Sequence, residues 1–152
     1  AEYFIWYLIN RRTACGTVAE ATLALLRHAG FKTRLCGIAS DPKKLQFEHV
    51  YLEYYSPDHQ KWVMMDPMIG AIPVSEDGLP LSAIEMLMDD GARKTMNELW
   101  RKLGVYRDVF GSEIYAPDKI LFFNNAGPFK KSYYFTFDAA TRAGLKNIKI
   151  NY

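Results

Sequence analysis

EHVYLEYYSPDHQKWVMMDP, residues 48–67, is the stretch whose reading decides the fold. Gln46 to Tyr55 is rich in aromatic and β-branched side chains and reads as a strand. Ser56-Pro57-Asp58-His59 is turn chemistry. Lys61 to Asp66 reads as a second strand, closed by Pro67, which has no N–H to give to a ladder. Two strands about that turn make an antiparallel hairpin. With the loop set at Ser56 to His59, Tyr55 faces Gln60, Glu53 faces Trp62, Tyr51 faces Met64 and His49 faces Asp66. Residues two apart share a face, so all four pairs project from one side. Directly opposed Cβ atoms stand about 4.5–5.5 Å apart, within reach of an imidazole–carboxylate hydrogen bond. The hairpin therefore places an acid beside one of only three histidines.

Upstream of it, Val18, Ala21, Thr22, Leu25 and Leu26 recur at three- and four-residue steps, and Gly30 follows as a C-terminal stop. This predicts a helix with Thr13 as N-cap and Cys15 in its first turn. Unpaired N–H groups and the macrodipole there favour a thiolate. The same N–H groups can receive the oxyanion of a tetrahedral intermediate. Cys15, His49 and Asp66 then read as nucleophile, general acid/base and orienter. Cys36, in the apolar run Leu35-Cys36-Gly37, reads as inert packing. His28 suits the end of the helix and His59 a solvated turn. Tyr51 and Trp62 share the His49 face, where each lines either a substrate cleft or the core. Glu53 reads as a solvated strand residue, and Arg27 and Arg34 as surface or packing residues.

The rest of the chain is read more coarsely. Residues 1–9, AEYFIWYLI, fit a buried helical turn or a strand equally well. Phe31 to Ile38 reads as a strand and Pro67 to Pro80 as a loop. Leu81 to Leu103 has helical spacing with a break at Gly91. Ile120 to Phe123, Ser132 to Phe137 and Lys146 to Ile150 are short strand candidates.

The 152 residues are 49% apolar and 24% charged, which excludes disorder and fits one globular domain over 1–152. A net charge of +2 gives no electrostatic case for nucleic acid. No apolar run has the length of a membrane span. Two cysteines without a CxxC pattern, and no EF-hand loop, predict no metal, and no cofactor is expected. A monomer is the expected state. The chain begins at Ala1 with no signal-peptide pattern in view, which leaves its location open: an exported protein, or part of a longer exported one.

Three ordered blocks, TACGTVAEATLALLRHAGFKTRLCGI, EHVYLEY and KWVMMDP, resemble the transglutaminase-like superfamily. That family has a Cys at a helix start with a small residue four on, as in Cys15 and Ala19. It has Leu-Leu-Arg, a small residue and Gly, as in Leu25-Leu26-Arg27 and Ala29-Gly30, and then a basic strand ending in Gly, as in Arg34 to Gly37. Its His opens an aromatic-acidic strand, as His49 does, and its Trp-Val…Asp-Pro strand matches Trp62-Val63 and Asp66-Pro67. The resemblance covers about residues 10 to 70. It implies a papain-like α+β fold, with the Cys helix packed on an antiparallel sheet. It implies acyl transfer from an amide through a thioester, with water or an amine as acceptor. It implies a bacterial-type member whose substrate is a peptide, protein or cell-wall amide. The family usually has Gly or Trp just before the Cys turn, where this chain has Thr13-Ala14, and Ala after its His, where this chain has Val50. A further oxyanion or substrate contact comes from upstream in the family, and Asn10, Trp6 and Tyr7 are the near candidates here. The alternative is a domain that kept the fold, lost catalysis and serves in protein or cell-surface binding.

Overall fold

The structure, a computed structural model, describes residues 15–39, 49–103, 113–116, 120–124 and 132–136. The Thr13 cap, Asn10, the aromatic N-terminal run and the Lys146–Ile150 strand lie outside these residues.

Helix α1 runs Cys15–His28 and ends as its glycine predicts. Gly30 takes φ +89°, its N–H bonds Arg27 O at 3.0 Å, and Phe31 N–H bonds Leu26 O at 2.9 Å. That pair of bonds is the Schellman closure, open to glycine because it carries no Cβ. The buried side of α1 is Val18, Ala19 and Leu23, while Leu25 is 65% exposed. The predicted stripe is thus turned by about one position. Leucines at 23, 25 and 26 give more than one possible stripe, and only packing against the sheet selects between them.

Five strands follow: β1 Thr33–Ala39, β2 His49–Ser56, β3 Lys61–Met65, β4 Ile120–Asn124 and β5 Ser132–Thr136. They form one sheet in the order β3-β2-β1-β4-β5, with every neighbouring pair antiparallel. Helix α1 packs on β1 and β2, and its last turn is tied to the sheet where Arg27 Nε donates to Thr33 Oγ1 at 2.9 Å. The chain is an α+β protein.

The β2–β3 hairpin differs from the predicted register. Ser56 pairs with Lys61, Tyr55 with Trp62, and Glu53 with Met64. Trp62 therefore faces Tyr55 rather than Glu53, and Met64 faces Glu53 rather than Tyr51. Carried on, the ladder sets Asp66 across from Tyr51 and diagonal to His49. The cause is the turn, whose four loop residues are Pro57 to Gln60, with Gln60 in the left-handed region at φ 51°. The shift is by two positions, so side chains keep their faces.

Helices α2, Ala83–Met88, and α3, Asp90–Leu103, replace the single broken helix. The break falls at Asp89, not Gly91. Asp89 is extended (φ −96°, ψ 110°), and its N–H closes α2 on Glu85 O and Met86 O. Its Oδ1 accepts Ala92 N–H at 2.9 Å and so caps α3. Ser82 and Glu85 form a capping box at the start of α2. One buried cluster joins Cys36, Tyr51 and Met64 of the sheet to Met86, Met96, Trp100 and Tyr115. The second half of the chain thus covers the sheet face that carries His49.

Candidate active site

Asp66 follows the last residue of β3, and its sequence neighbours fix it. Pro67 stops the strand. Asp66 Oδ1 accepts Met68 N–H at 3.0 Å, an Asx turn. Asp66 and Ala71 exchange both backbone hydrogen bonds, at 2.9 and 3.1 Å, with Gly70 in the left-handed region (φ 64°) inside the loop. The carboxylate therefore has one direction in which to point.

His49 opens β2 and meets it. His49 Nε2–H donates to Asp66 Oδ2 at 2.8 Å, with both side chains fully buried. The diagonal register leaves this contact intact because parity, not the exact partner, sets the face. Two further donors converge on the same oxygen: Trp100 Nε1 at 3.0 Å and the Tyr115 hydroxyl at 2.5 Å. The His49 ring also packs edge-on against Trp100, centroids 4.7 Å apart, and against Tyr115 at 6.0 Å.

The N-terminal end of α1 brings the half-buried Cys15 to the start of β2. Burial raises its thiol, but the His49 imidazole, by contact and by charge, and the N–H groups of Val50 and Gly16 outweigh burial, and the net shift is downward. Burial alone disfavours the His49 imidazolium. The charge and hydrogen bond of Asp66, then Cys15, overcome this and carry His49 up to about 9. His49 Nδ1 is buried and has no hydrogen-bond partner among the described residues. No hydrogen bond is closed between the sulfur and this nitrogen, although Cys15 and His49 each shift the other's titration. Lowered thiol and raised imidazole together favour a thiolate–imidazolium pair.

Cys36, free like Cys15, is fully buried, and burial followed by the nearby Glu53 carboxylate pushes its thiol well up. Glu53 is not a solvated strand residue. It is fully buried and pairs with Arg34 at 2.6 Å, and Arg34 is itself only 7% exposed. Trp62 packs against Tyr55 and lies under the Arg34 guanidinium at 4.3 Å. Tyr51 is fully buried beside His49 and Tyr115, with no surface to offer a ligand and no partner for its hydroxyl among the described residues.

Trp100, Tyr115 and Asn97 were not singled out from sequence for the site. Trp100 had a signal, since a tryptophan on the buried stripe of a helix needs an acceptor for its N–H. Tyr115 had none, because it stands 49 residues from Asp66 in a short irregular segment.

Residues 3–67 match the transglutaminase-like superfamily. No curated protein and no solved structure matches the chain. The match contains Cys15, His49 and Asp66 and ends before α2, α3 and Tyr115.

Proposed function

We propose that this protein carries out thiol-dependent acyl transfer or hydrolysis at an amide bond, with Cys15 as nucleophile, His49 as general acid/base and Asp66 as the group that orients His49. The observation that supports it most is the buried 2.8 Å His49–Asp66 contact, on a ring coupled to a thiol drawn below its ordinary range. We further infer a single domain with the papain-like arrangement of helix and sheet.

The steps follow from these groups. The Cys15 thiolate attacks the amide carbonyl carbon, an S–C bond forms and the carbonyl oxygen takes the negative charge. In this reading the first-turn N–H groups of α1 receive it. His49 Nδ1–H protonates the departing nitrogen as the C–N bond breaks, leaving a thioester and neutral imidazole. Water or an amine then attacks. Nδ1 takes its proton, the S–C bond breaks, and the thiolate–imidazolium pair returns. Asp66 keeps Nε2 protonated throughout and so leaves Nδ1 as the shuttling atom. The substrates that fit are peptide, protein or cell-wall amides.

Iodoacetamide at neutral pH tests the reading. Cys15 should be alkylated at least about tenfold faster than Cys36, since only Cys15 combines a lowered pKa with access. A screen of peptide amides and cell-wall fragments, with and without an added amine, then separates hydrolase from transferase. Equal, slow labelling of both thiols without turnover would leave a non-catalytic binding domain as the better reading.

A further inference from the structure

Asp66 Oδ2 receives three donors, from His49, Trp100 and Tyr115. A carboxylate oxygen has two lone pairs, so the third donor exceeds what satisfying Asp66 requires. Each of the added donors is held in place. Trp100 lies on α3, three residues beyond Asn97. Asn97 grips the backbone of Tyr115 with two bonds, Nδ2 to Tyr115 O at 3.0 Å and Tyr115 N–H to Oδ1 at 3.0 Å. Asn97 is 3% exposed and Tyr115 fully buried. Arg101, one turn on, fastens Glu113 at 2.6 Å. Helix α3 thus sets both its own indole and a distant tyrosine on one oxygen.

We propose that Trp100 and Tyr115 are positioning residues: they pin the Asp66 carboxylate so that His49 presents Nδ1 to Cys15, and they share with the imidazole the charge of Oδ2. This rests on the reading of Cys15 as nucleophile, and it extends the working site past residue 67, where the family match ends. The groups around the His49 ring are Asp66 after β3, Cys15 on α1, Tyr51 on β2, Trp100 on α3 and Tyr115. Asp66 and Cys15 act on its charge directly; Trp100 and Tyr115 act through Asp66. A donor removed from Oδ2 leaves more of its charge to the imidazolium, which then holds its proton more tightly.

The test follows the His49 ring by NMR through a pH titration in wild type, Tyr115→Phe and Trp100→Phe, with Cys15 alkylation rates alongside. Tyr115→Phe keeps the ring and its packing. Its His49 midpoint should rise above wild type by about half a pH unit or more, and Trp100→Phe should move it the same way by less. Trp100→Phe carries the test if Tyr115→Phe does not fold. A midpoint at or below wild type in the folded variant overturns the proposal, whatever happens to its melting temperature. An ordinary alkylation rate at Cys15 in wild type overturns the acyl-transfer reading instead, so the two failures are told apart.

Discussion

Two sets of the same three kinds of group gather at this sheet: Cys15 of α1 with His49 and Asp66, and Cys36 with Arg34 and Glu53. Both carboxylates are fully buried and both accept several hydrogen bonds. Glu53 takes Arg34 at 2.6 Å and the Ala83 N–H at 2.7 Å, joining the sheet to the start of α2. The difference is the cation. A guanidinium does not release its proton in a protein, so the Arg34–Glu53 pair holds structure and moves no charge. An imidazole does release one, and its raised pKa of about 9 comes with a thiol pulled the opposite way. Burial completes the contrast, because Cys36 has no access to solvent and its thiol is pushed up. On the proposed reading, proximity of thiol, cation and carboxylate is therefore not enough for chemistry. The cation must titrate and the sulfur must be reachable.

The largest test removes each sulfur in turn. Cys15→Ala should lower turnover of a responsive peptide amide by about 10³-fold or more, as loss of a nucleophile does, while Cys36→Ala leaves it unchanged. Equal losses would erase the distinction between the two sets. The carboxylates should separate on stability. Glu53→Gln removes the negative charge that faces the buried Arg34 guanidinium and should cost about 3–5 kcal/mol in denaturant melts, with activity per folded molecule retained.

A smaller effect concerns pH. His49, with its folded pKa raised, contributes stability in full below about pH 6.5 and loses it as pH rises through about 9. Cys15, with its folded pKa lowered, contributes above the ordinary thiol range near 8.5 and loses it as pH falls through its own value. Between about pH 6.5 and 8.5 the two slopes oppose each other, because in the folded chain His49 holds a proton that the unfolded chain lacks while the lowered Cys15 gives one up more readily. Cys15→Ala removes one side of the balance. Its stability should then decline relative to wild type by about 1 kcal/mol per pH unit across that window. Parallel slopes in chemical melts at several pH values would mean that thiol and ring are not coupled. The smallest effect is Ser82→Ala, which breaks the capping box beside the Glu53–Ala83 bond and should lower stability by about 1 kcal/mol without altering Cys15 alkylation.

Much of the site was legible before folding was considered. His49 and Asp66 share a face under any hairpin register of the same parity, so a turn placed two positions off still brought them together. The break between α2 and α3 was read at Gly91 because glycine is the louder signal. The quieter ones, Ser82 with Glu85 and the cap at Asp89, set the true ends. Glu53 reads from sequence as solvated, because a charged residue on a strand usually is, and Arg34 reads as surface or packing with nothing local to choose between them; the structure buries both. Nothing in the two residue names says that they will meet at 2.6 Å and be buried as a pair.

The local pattern of the chain by itself determined the Cys15 helix and its Gly30 stop, the β2–β3 hairpin and the common face of His49 and Asp66. These are short-range matters of periodicity, capping and turn chemistry. Only the tertiary structure decided which stripe of α1 is buried, that Arg34 neutralises Glu53, and that Trp100 and Tyr115 close on Asp66 from 34 and 49 residues away. Contacts of that span depend on how a sheet and its covering helices share one core, and no local sequence pattern encodes that.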